Sequence, residues 1–413
     1  SIDDVIDKTI AKRNLSTRLI ANRDNAFERL DTALARDVTP FLCDDPIDER
    51  TPVLQLYTSG TTGKPKGAVL SHRNVTSLVH MMGLSNDGLY DSQTVNLIVA
   101  PLFRIGGAGV TYIGLAHGSH NLMHSAFDPV AVVEAIQNEA VTSMFMVPAM
   151  IQAIVKLVPN VERYDLSSLE SIAYGAAPIS ATLLREALAL FKCDFSQVYG
   201  MTETTGTVIA LSPEDHDRAL AGHAHLLTSC GKPCPGNEVK IIDSDGNTLG
   251  PNQTGEMCLR SANNMVEYFN RPEATAKTLK HGWILTGDAA FIDEEGYIYL
   301  RDRIKDMVVS GGENIYPVEV ENVLSGLPGV IEVAVIGVPD EKFGEALLAV
   351  FAMKPGHSMN TETVIEFCRD KLAGYKIPRQ LQLIDALPRN PSGKILKTVL
   401  REPYWEGIDR RIA

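Results

Sequence analysis

A chain of 413 residues is too long for one compact core and implies two or more domains. Its 45% hydrophobic and 22% charged residues describe a globular protein, and a net charge of -13 argues against nucleic acid or an anionic membrane as partner. No apolar run approaches the ~20 residues needed to cross a bilayer. The acidic start Ser1-Ile2-Asp3-Asp4 has no secretory pattern, so a cytoplasmic protein is expected.

The first element to read is the apolar strand Val53 to Tyr57, followed at once by Thr58-Ser59-Gly60-Thr61-Thr62-Gly63-Lys64-Pro65-Lys66-Gly67. Glycines bring backbone N–H groups close to an anion, hydroxyls donate further hydrogen bonds, and lysines add charge, so the loop suits a polyphosphate. It is not a Walker A loop, because Pro65 stands where that motif needs its second glycine. A plain Gly/Ser/Thr linker is the alternative.

Short apolar strands then alternate with amphipathic helices, an α/β signature: Val95 to Val99, a helix from Pro129 to Asn138 capped by Asp128, and Val141 to Val147. Strand Ser171 to Tyr174 runs into Gly175-Ala176-Ala177-Pro178, which by itself reads as turn chemistry. Ser180 caps a helix whose Leu183, Leu184, Ala187, Leu188 and Phe191 share one face and belong to the core.

Strand Phe195 to Val198 precedes Tyr199-Gly200-Met201-Thr202-Glu203-Thr204-Thr205. Loops at the carboxyl ends of strands are where α/β sheets bind ligands, and a carboxylate among hydroxyls suits Mg2+. An N-capping Thr with a first-turn Glu is the plainer alternative.

Beyond Ala221 a β-rich stretch begins, with Val239 to Ile242 leading to Asp245-Gly246, and Phe291-Ile292 leading to Glu295-Gly296. His223, His225, Cys230 and Cys234 fall within twelve residues, but their spacing is loose, and Gly231-Lys232-Pro233 reads as a turn rather than a zinc site. The six cysteines are scattered, as reduced thiols would be. In Trp283 to Asp288, the Asp could accept both hydroxyls of a ribose or could be a solvated turn residue.

From Ile304 the chain returns to mixed α and β. Pro317 opens a helix, Val333 to Val338 and Ala346 to Phe351 are strands, and a further helix spans about Thr363 to Leu372. Ser310-Gly311-Gly312-Glu313 reads as a Gly-Gly turn, and Pro388-Arg389-Asn390-Pro391-Ser392-Gly393-Lys394 as a turn-rich loop. The expected parts are 1–220, the α/β part of the main domain; 221–303, a β-rich subdomain; and 304–413, a small α+β domain.

Taken together, the segments at Thr58, Tyr199, Trp283, Tyr299 to Asp306 and Pro388 resemble the acyl-adenylate-forming, AMP-binding superfamily, in its acyl-CoA synthetase branch. The resemblance implies an α/β fold with a large N-terminal domain and a mobile α+β C-terminal domain. It implies a ligase using ATP, Mg2+ and CoA on a fatty or other hydrophobic carboxylic acid through an acyl-AMP intermediate; the alternatives are one passing the acyl group to a carrier protein, or a non-catalytic nucleotide-binding remnant. Oligomeric state is open, a homodimer included.

By that resemblance Thr58, Ser59, Gly60, Thr61, Thr62, Gly63 and Lys66 surround the phosphates. Gly175, Ala176, Ala177, Tyr199, Gly200 and Met201 border adenine, and Thr202 serves the α-phosphate. Glu203, with Thr58, serves the metal. Asp288 and Arg303 grip ribose and phosphate, Lys305 is the hinge, and Gly311 and Gly312 line the pantetheine tunnel. Lys394 is the lysine of the adenylation step, where a cation offsets the repulsion between a carboxylate and a phosphate.

Two departures stand out. Ala100-Pro101-Leu102-Phe103-Arg104-Ile105-Gly106-Gly107 carries Arg104 where the family usually has His, which allows a substrate with a second acidic group or an Arg facing other partners. Only 56 residues precede Tyr57, where the family carries a further subdomain, so the chain reads as a shortened version.

Overall fold

The computed structural model describes residues 46–58, 65–85, 90–177, 179, 181–389 and 395–406, with the two short strands β1 (Ile20–Ala21) and β2 (Glu28–Arg29) ahead of them. Those two strands pair in parallel, Ile20 opposite Glu28. Residues 1–48 form one compact unit and residues 49–413 another, and the architecture below is that of the second.

It opens with a hairpin of β3 (Pro52–Thr58) and β4 (Lys66–Ser71), in which Thr58 and Lys66 face each other as the last pair. The ends of the expected phosphate loop are thus anchored side by side, while Ser59 to Lys64 themselves lie outside the described residues. Helix α1 (His72–Ser85) follows. Asn74 at its start takes the Ser71 N–H at 2.8 Å and donates to the carbonyls of Ala262 and Asn264, each at 2.8 Å.

The α/β layer is then built by β5 (Val95–Ile98), α2 (Ile105–His117), β6 (His120–Met123), α3 (Pro129–Glu139), β7 (Ser143–Met146), α4 (Pro148–Leu157), β8 (Ser171–Gly175), α5 (Ala181–Phe191), β9 (Asp194–Met201), β10 (Gly206–Leu211), α6 (Pro213–Leu220) and β11 (Lys232–Pro233). These strands form one seven-stranded sheet in the order β11-β10-β9-β8-β7-β5-β6, parallel from β9 to β6 and antiparallel at β10 and β11. Parallel strands covered on both faces must be apolar throughout, and β7, Ser-Met-Phe-Met, is buried at all four positions. Asp128 caps α3 as expected, accepting from the N–H groups of Val130 and Ala131 at 2.9 Å. On α5, Leu184, Ala187 and Phe191 are buried and Leu183 and Leu188 pack against the same core; the expected cap Ser180 lies outside the described residues.

Two expectations change here. Strand β9 runs on through Tyr199, Gly200 and Met201, because β10 pairs back along it, so these residues are sheet and not loop. Lys232 and Pro233 form an edge strand against β10 rather than a turn, a position that tolerates proline. Cys230 and Cys234 on either side of it are buried in two different apolar clusters.

A second sheet follows, from β12 (Glu238–Ile242), β13 (Gly255–Arg260), β14 (Glu267–Tyr268), α7 (Pro272–Thr278), β15 (Leu279–Lys280), β16 (Trp283–Ile292) and β17 (Ile298–Arg303). Its strands β12, β13, β16, β15 and β17 are antiparallel, while β14 leaves to pair with β4, placing Tyr268 opposite Ala68. The turn Asp293 to Tyr297 carries Gly296 at φ 86°, as the sequence foretold.

Residues from Val308 build a third layer: β18 (Val308–Ser310), β19 (Glu313–Ile315), α8 (Pro317–Leu324), β20 (Val330–Asp340), β21 (Gly344–Met353), α9 (Thr361–Cys368), β22 (Gln380–Ile384) and α10 (Lys397–Trp405). Its five-stranded sheet has its own apolar cores on both faces, one around Val335, Phe351 and Val364 and one around Ile336, Val350 and Leu387. Helix α9 begins at Thr361 under an Asn360 cap and ends at Cys368, four residues short of the Leu372 expected. Gly311 and Gly312, at φ 62° and 87°, are the two central residues of the β18–β19 hairpin, which a two-residue turn of this hand requires. Among the described residues no helix is long and apolar enough to cross a membrane.

Candidate active site

Three strands and one 3-10 turn converge on a group of buried charges. Asp288 on β16 is 5% exposed and stands opposite Arg303 of β17. Its Oδ1 receives the Arg303 Nε at 2.6 Å, and its Oδ2 receives the Tyr199 hydroxyl at 2.5 Å. Burial first, then the charge of Asp288, holds the Tyr199 phenol well above its ordinary range, so it remains a donor. Burial pulls the Arg303 guanidinium down, but the charges of Asp288, Tyr199 and Glu203 outweigh it and its affinity for the proton rises. Each carboxylate oxygen of Asp288 keeps a lone pair beyond the one already used, which suits further hydroxyl donors.

Thr286 orders this strand end by donating to the Met257 carbonyl at 2.7 Å and accepting the Asp288 N–H at 3.1 Å. Gly287, at φ 69°, donates its N–H to Glu256 at 3.0 Å. Burial raises the Glu256 carboxyl above its ordinary value, opposed by that N–H.

The second half of the site is the 3-10 turn Thr202–Thr204 that ends β9. The Thr204 hydroxyl ties the turn, accepting from Met201 N at 3.0 Å and donating toward the carbonyls of Met201 and Gly206. Thr205 takes φ 52° and donates to the Asn263 carbonyl at 2.6 Å. Within this frame Glu203 is 6% exposed, its Oε1 accepting the Tyr268 hydroxyl at 2.6 Å, and its backbone carbonyl accepts Met265 N at 2.8 Å. Its other oxygen takes no hydrogen bond from the described residues. One open carboxylate oxygen fits Mg2+, which prefers one or two carboxylates completed by phosphates and waters.

Lys66 places its ammonium 4.3 Å from the centre of the Tyr268 ring, and the Thr58 hydroxyl donates weakly to the Lys66 carbonyl at 3.4 Å. The structure therefore brings together Thr58, Lys66, Tyr199, Thr202, Glu203, Asp288 and Arg303 around the ends of β3, β4, β9, β16 and β17. The expected residues Ser59, Gly60, Thr61, Thr62, Gly63 and Lys394 lie outside the described residues.

Gly175 and Gly200 have a reason of their own. A Cβ on Gly175 would stand 2.1 Å from the Val198 carbonyl, and one on Gly200 1.7 Å from that of Gly206, so neighbouring strands alone demand glycine at both. Ala176 takes φ 66°, and Ala177 is exposed beside it. Gly311 and Gly312 are exposed in their hairpin, away from this group of charges in sequence and sheet.

Around Lys305 a different set of charges is buried. The Lys397 ammonium of α10 lies 2.8 Å from Glu321 and 3.7 Å from Asp302, and Arg401 lies 2.5 Å from Asp306. Asp302 also accepts Val318 N at 3.0 Å. Burial raises Asp302 and Glu321 above ordinary carboxylates; burial lowers Lys397, but the two acids outweigh it and raise it overall. Lys376 donates to both carboxylate oxygens of Glu319 at 2.8 and 2.7 Å, so it is a structural charge.

Arg104 precedes α2 without capping it, 5.9 Å from the ring of the exposed Phe103, and its Nε is buried without a hydrogen-bond partner. Tyr268, Asn74 and Asn263 escaped the sequence reading. The only signal for Tyr268 was an aromatic residue just ahead of the Pro272 helix start, which carries no chemistry of its own.

The sequence model of the AMP-binding enzyme family matches residues 3–269, and that of its C-terminal domain matches residues 319–394. The chain belongs to the AMP-binding enzyme family. A fatty acid–[acyl-carrier-protein] ligase, ScoC, from Streptomyces coeruleorubidus is 42% identical over 366 residues, 88% of this chain and 69% of that protein. A feruloyl-CoA synthase from an Amycolatopsis species is 42% identical over 352 residues, covering 85% of this chain and 70% of that one. Among solved structures, the o-succinylbenzoate CoA synthetase of Bacillus subtilis with its acyl-adenylate intermediate has a TM-score of 0.80 at 32% identity, over 94% of this chain and 75% of that one. The same enzyme is known with ATP and magnesium ion.

Proposed function

We propose that this enzyme is an ATP-dependent carboxylic acid–CoA ligase acting through an acyl-AMP intermediate. The observation that carries the reading is Asp288 locked between Tyr199 and Arg303 with Glu203 in electrostatic reach of the same arginine. A buried acid for ribose hydroxyls thereby stands beside a cation for phosphate and a half-open acid for a metal. The acid's carboxylate oxygen attacks the α-phosphorus of ATP, and the bond to pyrophosphate breaks. The CoA thiol then attacks the acyl carbonyl, and AMP leaves with the bridging oxygen. Arg303 and Lys394 offset the repulsion as two anions meet, and Asp288 fixes the ribose so that the α-phosphate is presented in one orientation. Mg2+ bound at Glu203, with Thr58 nearby, would neutralise charge on the phosphates.

We further propose the three-part organisation 1–220, 221–303 and 304–413, with rotation about Lys305 exchanging Lys394 for the Gly311–Gly312 hairpin between the two steps. The separate sheet and cores from Val308 onward support it. The similarity to ScoC favours a second reading, in which a carrier protein replaces CoA as acceptor.

The test is pyrophosphate release over a panel of monoacids and diacids, with AMP release followed with and without CoA. Acid-dependent pyrophosphate release with CoA-dependent AMP release is expected; AMP release that needs a carrier protein and ignores CoA favours the second reading. Arg104, with its unpartnered buried Nε, makes the diacid arm informative. If it recognises a second carboxylate, Arg104→His shifts preference toward monoacids, and an unchanged ratio removes it from substrate recognition.

A further inference from the structure

Tyr268 is 3% exposed and connects two charges of opposite sign. Lys66, Ala68 and Leu70 alternate onto one face of β4, and β14 pairs so that Tyr268 sits opposite Ala68. That register brings Lys66 diagonally onto the Tyr268 ring, 4.3 Å from its centre. The hydroxyl at the far end of the ring donates to Glu203 Oε1 at 2.6 Å. Thr278 also reaches that phenol. Lys66 and Glu203 make no ion pair.

We propose that Tyr268 is a positioning residue for metal binding: its hydroxyl fixes one oxygen of Glu203 and leaves the other open, while its ring holds Lys66 away from that carboxylate. A carboxylate already pinned through one oxygen surrenders less freedom when a cation arrives, as outer partners of metal ligands commonly ensure. The ring attracts the ammonium through its π face without neutralising the acid. Without the ring, Lys66 can swing onto Glu203 and occupy the oxygen that a metal needs.

The inference rests on the ligase reading for its metal, and binding tests it without turnover. Mn2+ is titrated by electron paramagnetic resonance in the presence of α,β-methylene-ATP, with wild type, Tyr268→Phe, Tyr268→Leu and Tyr268→Leu/Lys66→Met. Tyr268→Phe keeps the ring and loses the hydroxyl, and weakens Mn2+ by about tenfold. Its nucleotide affinity in EDTA stays within about twofold of wild type, the size of a few tenths of a kcal/mol. Tyr268→Leu weakens Mn2+ further, and adding Lys66→Met restores part of that extra loss. Wild-type Mn2+ affinity in Tyr268→Phe overturns the hydroxyl's role. Equal affinities for Phe and Leu variants, with no recovery in the double variant, overturn the ring's role. Should the Leu variants fail to fold, Tyr268→Phe with and without Lys66→Met decides, recovery on removing the lysine counting against the ring as a holder. Failure of the wild type itself to bind Mn2+ with the nucleotide contradicts the ligase reading instead.

Discussion

Two regions of this molecule bury charge, and they do so in opposite ways. At the candidate site, Asp288 and Glu203 each meet protein donors yet keep lone pairs open, and the Arg303 side chain is 32% exposed. Around Lys305, Lys397, Glu321 and Asp302 close on one another, and the Lys397 side chain is only 12% exposed. A closed cluster contributes to the fold and to register, whereas a cluster left half satisfied is poised for a ligand that completes it.

The sharpest way to break this contrast is to exchange the signatures of the two regions. Lys397→Met leaves two buried acids without their cation and is expected to cost about 3–5 kcal/mol of stability in denaturant unfolding. Adding Glu321→Gln should recover part of it. A Lys397→Met protein as stable as wild type would show that this cluster is not closed.

Asp288→Asn should do the reverse, lowering kcat/KM for ATP by about a hundredfold, as expected for a lost charged hydrogen bond of ~3 kcal/mol, with a much smaller change in melting temperature. A large loss of stability with ATP affinity intact would place Asp288 in the scaffold.

Smaller effects come from groups outside both charge clusters. His216 is buried, its Nδ1–H donating to the Ser212 carbonyl at 2.7 Å while Nε2 accepts the Tyr174 hydroxyl at 2.9 Å. Burial lowers its pKa below 6.5, so the unfolded chain binds the proton first as pH falls. Its contribution is fully present above pH 6.5 and is lost as pH falls through the folded value, by at most ~1.4 kcal/mol per pH unit. Unfolding measured between neutral and mildly acidic pH should show this slope in wild type and less of it in His216→Gln. Gly312→Ala should cost about 1 kcal/mol, since φ 87° strains a side chain although nothing lies within 4 Å of it. No loss there would mean that the hairpin relaxes without the left-handed turn.

What the sequence disclosed follows the same division. Buried parallel strands such as Ser143–Met146 announce themselves as apolar runs, and Asp128-Pro129 marks a helix start through local chemistry. The segments carrying Glu203, Asp288 and Arg303 stand out in the sequence because each motif is contiguous. Tyr268 was not, since its meaning depends on pairing with Ala68, two hundred residues earlier, a register no local pattern encodes. Gly175 and Gly200 illustrate the converse: resemblance assigns them to adenine, while strand contacts with Val198 and Gly206 already exclude any side chain. Lys232-Pro233 read as a turn because its pairing to β10 is likewise non-local.

The central claim, that an acid is activated as its adenylate, can be read from one oxygen atom. An acid found by the panel, labelled with oxygen-18 in both carboxylate positions, is converted with ATP and CoA, and the released AMP is analysed by mass spectrometry. Attack of the carboxylate on the α-phosphorus predicts one labelled oxygen in each AMP formed. Unlabelled AMP, or label in phosphate beside ADP, would contradict the account.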